Sequence, residues 1–213
     1  MNFIRRARIA LLTVFAGAAL AAALPGTASA GLLVASAPSC DHSDISQPFQ
    51  QWYDDSSYFL VPGGNFEGSL DGWGATGGSR TTAGNEPWQA NGDAGSRSLL
   101  IPAGGSVTSP AVCVGLEHPT LRFFAKRSSS GLLSGVSTLT VSALVETSLG
   151  AVVEVPFGTV VGGTSWQPTP AYFMIANLPP LLPGNYTPVA FRFRAVGLSN
   201  WQIDDAFVDP RMK

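Results

Sequence analysis

Residues 189–196 alternate strictly: Val189, Phe191, Phe193 and Ala195 are apolar, and Arg192 and Arg194 stand between them. A period of two sends successive side chains to opposite faces, so this stretch reads as a half-buried strand. The same period recurs in Leu121, Phe123 and Ala125 against Arg122 and Lys126, and in Leu139, Val141, Ala143 and Val145. Glycine and proline punctuate the runs, at Pro62-Gly63-Gly64, Gly77-Gly78, Gly104-Gly105 and Leu149-Gly150. No stretch reads as a helix, and residues 178–184 cannot be one, because three prolines remove donors and fix φ. A chain with 24 glycines and 16 prolines could be disordered, but 45% hydrophobic content in regular short runs points to turn-rich β-structure. The expected fold is all-β, a two-sheet antiparallel β-sandwich.

In finer detail, residues 73–76 and 79–82 flank Gly77-Gly78 and read as a hairpin. Residues 166–176 read as a strand broken at Pro168 and Pro170, which argues for an edge or a bulge there. The last strand is residues 201–208.

The first thirty residues read as a secretory signal. Arg5, Arg6 and Arg8 precede an apolar run over residues 9–24, and Ala28-Ser29-Ala30 supplies a small-residue cleavage site. The run is short for an uncleaved membrane anchor. The domain plan is therefore a signal at 1–30, an N-terminal arm at 31–57 and a β-sandwich at 58–213. The expected location is secreted or extracellular, with no membrane span after signal removal. The 12 basic residues are already outnumbered by 14 acidic ones, and losing the signal's three arginines widens the excess. There is no basic patch, which argues against nucleic acid as a partner. An exported chain meets an oxidising compartment, so Cys40 and Cys113 are expected to pair.

Two stretches carry candidate chemistry. Asn65-Phe66-Glu67 follows the Pro-Gly-Gly turn and leads to Gly72-Trp73. Asp204 and Asp205 interrupt the apolar last strand. Buried carboxylates need donors or a metal. If the two stretches meet, Glu67, Asp204 and Asp205 would hold a cation. The alternative is that the aspartates accept backbone donors or pair with Arg122 or Arg194. Adjacent strand residues point to opposite faces, so both aspartates reach one side only if a bulge intervenes.

Residues 84–97 form a polar loop around Trp88, with Asn85, Glu86, Asn91 and Asp93. An aromatic ring flanked by amides and carboxylates suits sugar binding, by stacking and by hydroxyl hydrogen bonds. The alternative has Trp88 folded back onto the sandwich. Phe66, Trp73, Trp166 and Trp201 read as packing residues. No nucleophile elbow or zinc-protease motif occurs, and neither His42 nor His118 stands in a catalytic pattern, so an enzyme is not expected.

The first pattern, Asn65-Phe66-Glu67 to Gly72-Trp73, and the second, Trp201 to Val208, together resemble the galactose-binding-like β-sandwich, or jelly roll. Trp166-Gln167 resembles that superfamily's usual late-strand tryptophan. The superfamily includes carbohydrate-binding modules of secreted polysaccharide-degrading enzymes. The chain also resembles secreted actinobacterial proteins, which implies no activity. The jelly-roll resemblance implies a structural calcium at the sheet edge, with Glu67, Asp204 and Asp205 as ligands, since calcium prefers carboxylates. It implies a non-catalytic module whose partner is a polysaccharide or a cell-surface glycan, and the composition of the polar loop makes Trp88, Asn85, Asn91 and Asp93 the expected contacts. The other reading is a structural or adhesive envelope protein without a small-molecule ligand.

Overall fold

The computed structural model describes residues 44–115, 119–128, 137–174 and 185–209, together with Leu33 and Cys40. The signal stretch, His42, His118 and the proline-rich 178–184 segment lie outside the described residues. The strictly alternating stretch is a strand, β12 (Thr187–Val196), and Val189, Phe191, Phe193 and Ala195 face the core as expected. Around it lie β2 (Gly74–Thr76), β5 (Ser106–Thr108), β6 (Val112–Val114), β8 (Thr138–Glu146) and β9 (Val152–Val160). They form a six-stranded sheet in the order β2-β5-β12-β8-β9, with β6 also on β12.

The second sheet centres on β13 (Trp201–Asp209), with β7 (Thr120–Arg127) on one side and β4 (Arg97–Ile101) on the other. Its remaining strands are β1 (Phe59–Leu60), β3 (Arg80–Ala83), β10 (Gln167–Pro168) and β11 (Tyr172–Phe173). The order β10-β7-β13-β4-β3, with β1 on β13 and β11 on β7, makes seven strands. All the pairings are antiparallel. The two sheets face each other as a β-sandwich. Between them lie Trp73, Phe123, Phe191, Phe193 and Trp201, with Trp201 fully buried. Phe123 meets Phe193 edge-on at 5.1 Å, the geometry that aligns a ring's positive edge with its neighbour's face.

Of the edge or bulge expected at the prolines, the edge is there. Among the described residues β10 and β11 pair only along β7, and between them Thr169 continues the ladder, donating its N–H to the Phe123 carbonyl at 2.8 Å. The expected hairpin at Gly77-Gly78 is not. β2 pairs with β5 in one sheet, whereas β3 pairs with β4 in the other. The glycine pair therefore carries the chain from sheet to sheet. Both glycines have positive φ, and a Cβ at Gly77 would lie 2.6 Å from the Gly105 Cα. Two backbones touch there, and only glycine permits it.

The arm is also more than a polar appendage. A 3-10 turn, Gln50–Trp52, follows Phe49, which is fully buried against Tyr58, Phe124 and Phe207 on the outer face of the seven-stranded sheet. Ser46 and Tyr58 exchange backbone hydrogen bonds at 2.8 Å and close this segment into a loop. Trp52 covers part of that sheet, but its neighbour Tyr53 is fully exposed. Arg122, expected on a solvated face beside Lys126, is buried: its guanidinium pairs with Asp54 and lies 4.1 Å from the centre of the Phe49 ring. Burial alone would raise the Asp54 carboxyl. Hydrogen bonds from Arg122, then Tyr58 and Ser56, outweigh it and hold the group below its ordinary value. The disulfide forms as expected, between Cys40 and Cys113 of β6.

Gly77→Ala should destabilise the fold by about 1–3 kcal/mol, the combined cost of a left-handed backbone and a backbone clash. Gly78→Ala meets only the Pro102 ring, at 3.8 Å, and should cost less. Denaturant unfolding of the two variants measures the difference, and equal effects would remove the close approach as the cause.

Candidate functional site

The last strand carries the bulge that its two aspartates require. Asp204 pairs with Phe124, but Phe207 pairs with Arg122, so β13 holds one residue more than β7 over this span. Asp205 takes up the excess with a φ of 45°, in the left-handed region. Ile203, Ala206 and Val208 all reach the central core, while Phe207 joins the outer aromatic cluster. Without the bulge, Asp205 would follow Ile203 into the core.

The opening stretch and this bulge do meet, through their backbones. Val61 donates to the Ala206 carbonyl at 2.8 Å, and Ala206 donates to the Gly64 carbonyl at 3.1 Å. The carboxylates go to different places. Glu67 turns to the start of β4, where it accepts the Ser96 and Arg97 N–H groups at 2.7 Å and the Ser96 hydroxyl at 3.0 Å. Burial opposes ionisation of Glu67, but these donors prevail and lower its pKa.

Asp204 and Asp205 meet a carboxylate that the sequence had placed only in the loop, Glu86. All three are almost fully buried. Asp204 accepts the Glu86 N–H at 2.9 Å and the Asp205 N–H at 3.0 Å. Asp205 accepts the Asn91 side-chain amide at 2.9 Å. Glu86 accepts the N–H groups of Trp88 and Ala90, the latter at 2.8 Å. It thus closes its own loop internally, while the aspartates fasten that loop to the sheet. Burial, then the neighbouring Asp205 charge, pushes Asp204 up to about 8. Burial, then Glu86, pushes Asp205 up to about 7.

The calcium implied by the resemblance would need Glu67 and an aspartate around one point. Glu67 instead satisfies its oxygens with N–H and O–H donors, and among the described residues no group of three or more His, Cys, Asp or Glu could hold a metal ion. This donor set does not fit the ion, and no role is derived through it. Backbone donors, the alternative reading for the aspartates, are what Asp204 has.

The fastened loop sets Trp88 on the outer face of the seven-stranded sheet. Its ring stacks on Phe124 at 5.4 Å with planes 30° apart, and meets Trp52 edge-on at 5.3 Å. Trp166 lies further along β7, with the Lys126 ammonium 4.7 Å from its ring centre. Phe124 is buried beneath, while Trp52, Trp88 and Trp166 keep part of their rings in solvent. Trp88 is therefore neither a free loop tip nor lost in the core. Of the other loop residues chosen from sequence, Asn91 is committed at both ends, to Asp205 and to the Asp93 N–H at 2.7 Å. The Asp93 side chain is exposed and Asn85 is half-buried beside Gly95. The sequence reading missed the Trp52–Trp88–Trp166 grouping; the only available signal was an aromatic in each of three polar segments.

A concavity of about 420 Å³ opens between β9 and the β10–β11 edge, lined by residues including Thr159, Ser165, Gln167 and Tyr172 and by no charged side chain.

No protein-family model and no curated relative matches the chain. Among solved structures, it is similar to the N-terminal CBM22-1-CBM22-2 tandem domain of Paenibacillus barcinonensis Xyn10C, at 13% identity and a TM-score of 0.51, covering 74% of this chain and 46% of that one. It is also similar to the CBM22-1 xylan-binding domain of the same enzyme, at 13% identity and a TM-score of 0.49, covering 70% of this chain and 93% of that one. A third likeness is to the CBM22-1-GH10 modules of Clostridium thermocellum xylanase 10B, at 16% identity and a TM-score of 0.48, covering 68% of this chain and 27% of that one. The chain thus spans about half of the tandem domain and about a quarter of the xylanase chain. The likeness to the tandem domain shows the fold alone, a β-sandwich.

Two outcomes follow from the carboxylates. Raised folded-state values mean that the native state binds more protons than the unfolded chain between the ordinary carboxylate range and about 8. Stability should therefore be fullest near pH 4 as far as this pair is concerned, and should fall as pH rises to 8, by about 1.4 kcal/mol per unit of displacement. Asp204→Asn with Asp205→Asn should flatten that slope in melting curves recorded across the range. Glu67→Gln should cost about 1–3 kcal/mol through weakened charge-assisted hydrogen bonds, with or without a chelator. A chelator-sensitive melting temperature lost in Glu67→Gln would restore the calcium.

Proposed function

We propose that this protein is a secreted, non-catalytic carbohydrate-binding module that takes polysaccharide or cell-surface glycan on the outer face of its seven-stranded sheet. The observation that carries this reading is the trio Trp52, Trp88 and Trp166, half-exposed around a buried Phe124. A sugar ring presents an apolar face of C–H groups and a rim of hydroxyls. Fixed, partly exposed indole rings suit the first, and nearby donors suit the second. Lys126 stands beside Trp166 as a donor, and the exposed Asp93 on the Trp88 loop can accept. Asn85 can supply an amide; Asn91 acts by holding the loop, since its own amide is spent.

The fold shared with a carbohydrate-binding tandem domain is compatible with this reading and does not select it. A non-catalytic role is supported by the carboxylates that do converge. Glu86, Asp204 and Asp205 are almost fully buried, the first two taking backbone N–H donors and Asp205 the Asn91 amide, so none is presented to a substrate. The disulfide suits the extracellular placement, and among the described residues no helix is long and apolar enough to cross a membrane.

Retention on a panel of immobilised insoluble and soluble polysaccharides tests the reading. Trp88→Ala should weaken retention at least about tenfold, as loss of a central aromatic contact does. It should also cost about 1–3 kcal/mol of stability, because the half-buried ring leaves Phe124. Equal retention of wild type and variant would remove Trp88 from the site. Retention of neither would favour a structural or adhesive envelope protein.

A further inference from the structure

Among the described residues, β9 is the edge strand of the six-stranded sheet, and β10 with β11 forms an edge of the seven-stranded one. The groove of about 420 Å³ between these edges has a volume within the usual range of small-molecule sites. Its walls are fixed from both sheets. The Tyr172 hydroxyl donates to the Thr159 carbonyl at 3.0 Å, across the gap from β11 to β9. Gly158 lets that ring lie on the β9 backbone, since a Cβ there would stand 2.9 Å from the Tyr172 Cδ1. The loop after β9 is tied to β7 by the Arg127 N–H, which donates to the Gly163 carbonyl at 2.8 Å. Ala125 and Val160, both members of the main core, give the groove an apolar floor. Ser165 and Gln167 line it as well, exposed and with side chains that make no hydrogen bond among the described residues. Gln167 pairs with inward-facing Ala125, while its neighbour Trp166 meets Lys126 on the outer face. β10 therefore separates the groove from the tryptophan trio.

We propose that this groove is a second binding site, separate from the aromatic face, that takes a neutral mono- or disaccharide unit. No charged side chain lines it. An ionic ligand would lose its hydration there with no counter-charge in return. A wholly apolar ligand would strip water from Ser165 and Gln167 and give no hydrogen bond back. A sugar ring suits both kinds of lining. Its C–H face meets Ala125, Val160 and the Tyr172 ring, and its hydroxyls meet the Ser165 hydroxyl and the Gln167 amide, each of which donates and accepts. Walls that are already fixed lose little freedom on binding, so more of the contact energy remains as affinity. The choice of a sugar among neutral, hydroxylated ligands rests on the carbohydrate-binding reading above; the position of the site and its neutrality do not.

Titration of the disulfide-bonded protein with cellobiose, xylobiose and mannobiose, followed by amide NMR, tests the site, with digalacturonic acid as the charged control. Taken to about 10 mM, tenfold above a millimolar Kd, at least one neutral disaccharide should shift the amides of residues 160–165 and of Gln167. Gln167→Ala should weaken that binding about two- to tenfold, the worth of one neutral hydrogen bond. Ser165→Trp should fill the groove and abolish the shifts, with melting curves establishing that both variants fold. Trp88→Ala should leave the groove shifts unchanged. Their loss in that variant would overturn the separateness of the site. Shifts confined to residues 84–97 would overturn the groove and keep the aromatic face. Groove shifts without retention on any polysaccharide would keep the groove and overturn the aromatic face instead. No groove shift with any neutral probe in the wild-type protein, or an equal response to digalacturonic acid, would overturn the proposal.

Discussion

One extra residue in the last strand governs this molecule. β13 lies between β4 and β7, is buried along nearly its whole length, and contains two adjacent aspartates. A regular strand would aim one of them into a core of phenylalanine and tryptophan. An ionised carboxylate there would face a desolvation cost of several kcal/mol with nothing to offset it. The bulge at Asp205 turns both aspartates to one side. The backbone it frees is taken up by the turn after β1, through Val61, Gly64 and Ala206. The irregularity thus joins the beginning and the end of the sandwich.

The same bulge places the loop that carries Trp88. Glu86 accepts N–H groups within the loop, and its own N–H goes to Asp204. Asn91 adds a second fastening, to Asp205. The buried carboxylates of Glu86 and Asp204 act as acceptors for backbone donors, and burial with neighbouring negative charge raises the proton affinity of Asp204 and Asp205. A loop held this way positions an aromatic ring without consuming it in the core. That separation between the residues that hold and the residue that is shown is what a recognition surface needs.

The arm completes both outer faces. Phe49 and Trp52 build the aromatic floor of one sheet, and Leu33 with the bridge covers part of the other. Sandwich sheets of this kind have one face in the core and one free for other uses. Here the N-terminal stretch reaches both outer faces, with Phe49 and Trp52 on one sheet and Leu33 and Cys40 on the other.

Much of this architecture was legible from residues alone. Strict alternation assigned β12 and its inward face, prolines argued for an edge or a bulge at β10 and β11, and the need of two adjacent aspartates for a common side called for a bulge. These are local consequences of chain geometry, which repeat wherever the pattern occurs. Other features depended on which strands pair. Gly77-Gly78 has the composition of a hairpin, yet it links two sheets, because pairing is decided by distant partners and by a backbone contact with Gly105. Glu67 and Glu86 exchange the parts a reader of the sequence would assign them, since a carboxylate goes to the nearest unsatisfied N–H groups, and their positions exist only after folding. The grouping of Trp52, Trp88 and Trp166 is likewise a product of tertiary structure. Sequence determined the alternating strands and the cysteine pair; packing of remote segments alone decided what Gly77-Gly78 connects, which aromatics share a face and which carboxylates share a site.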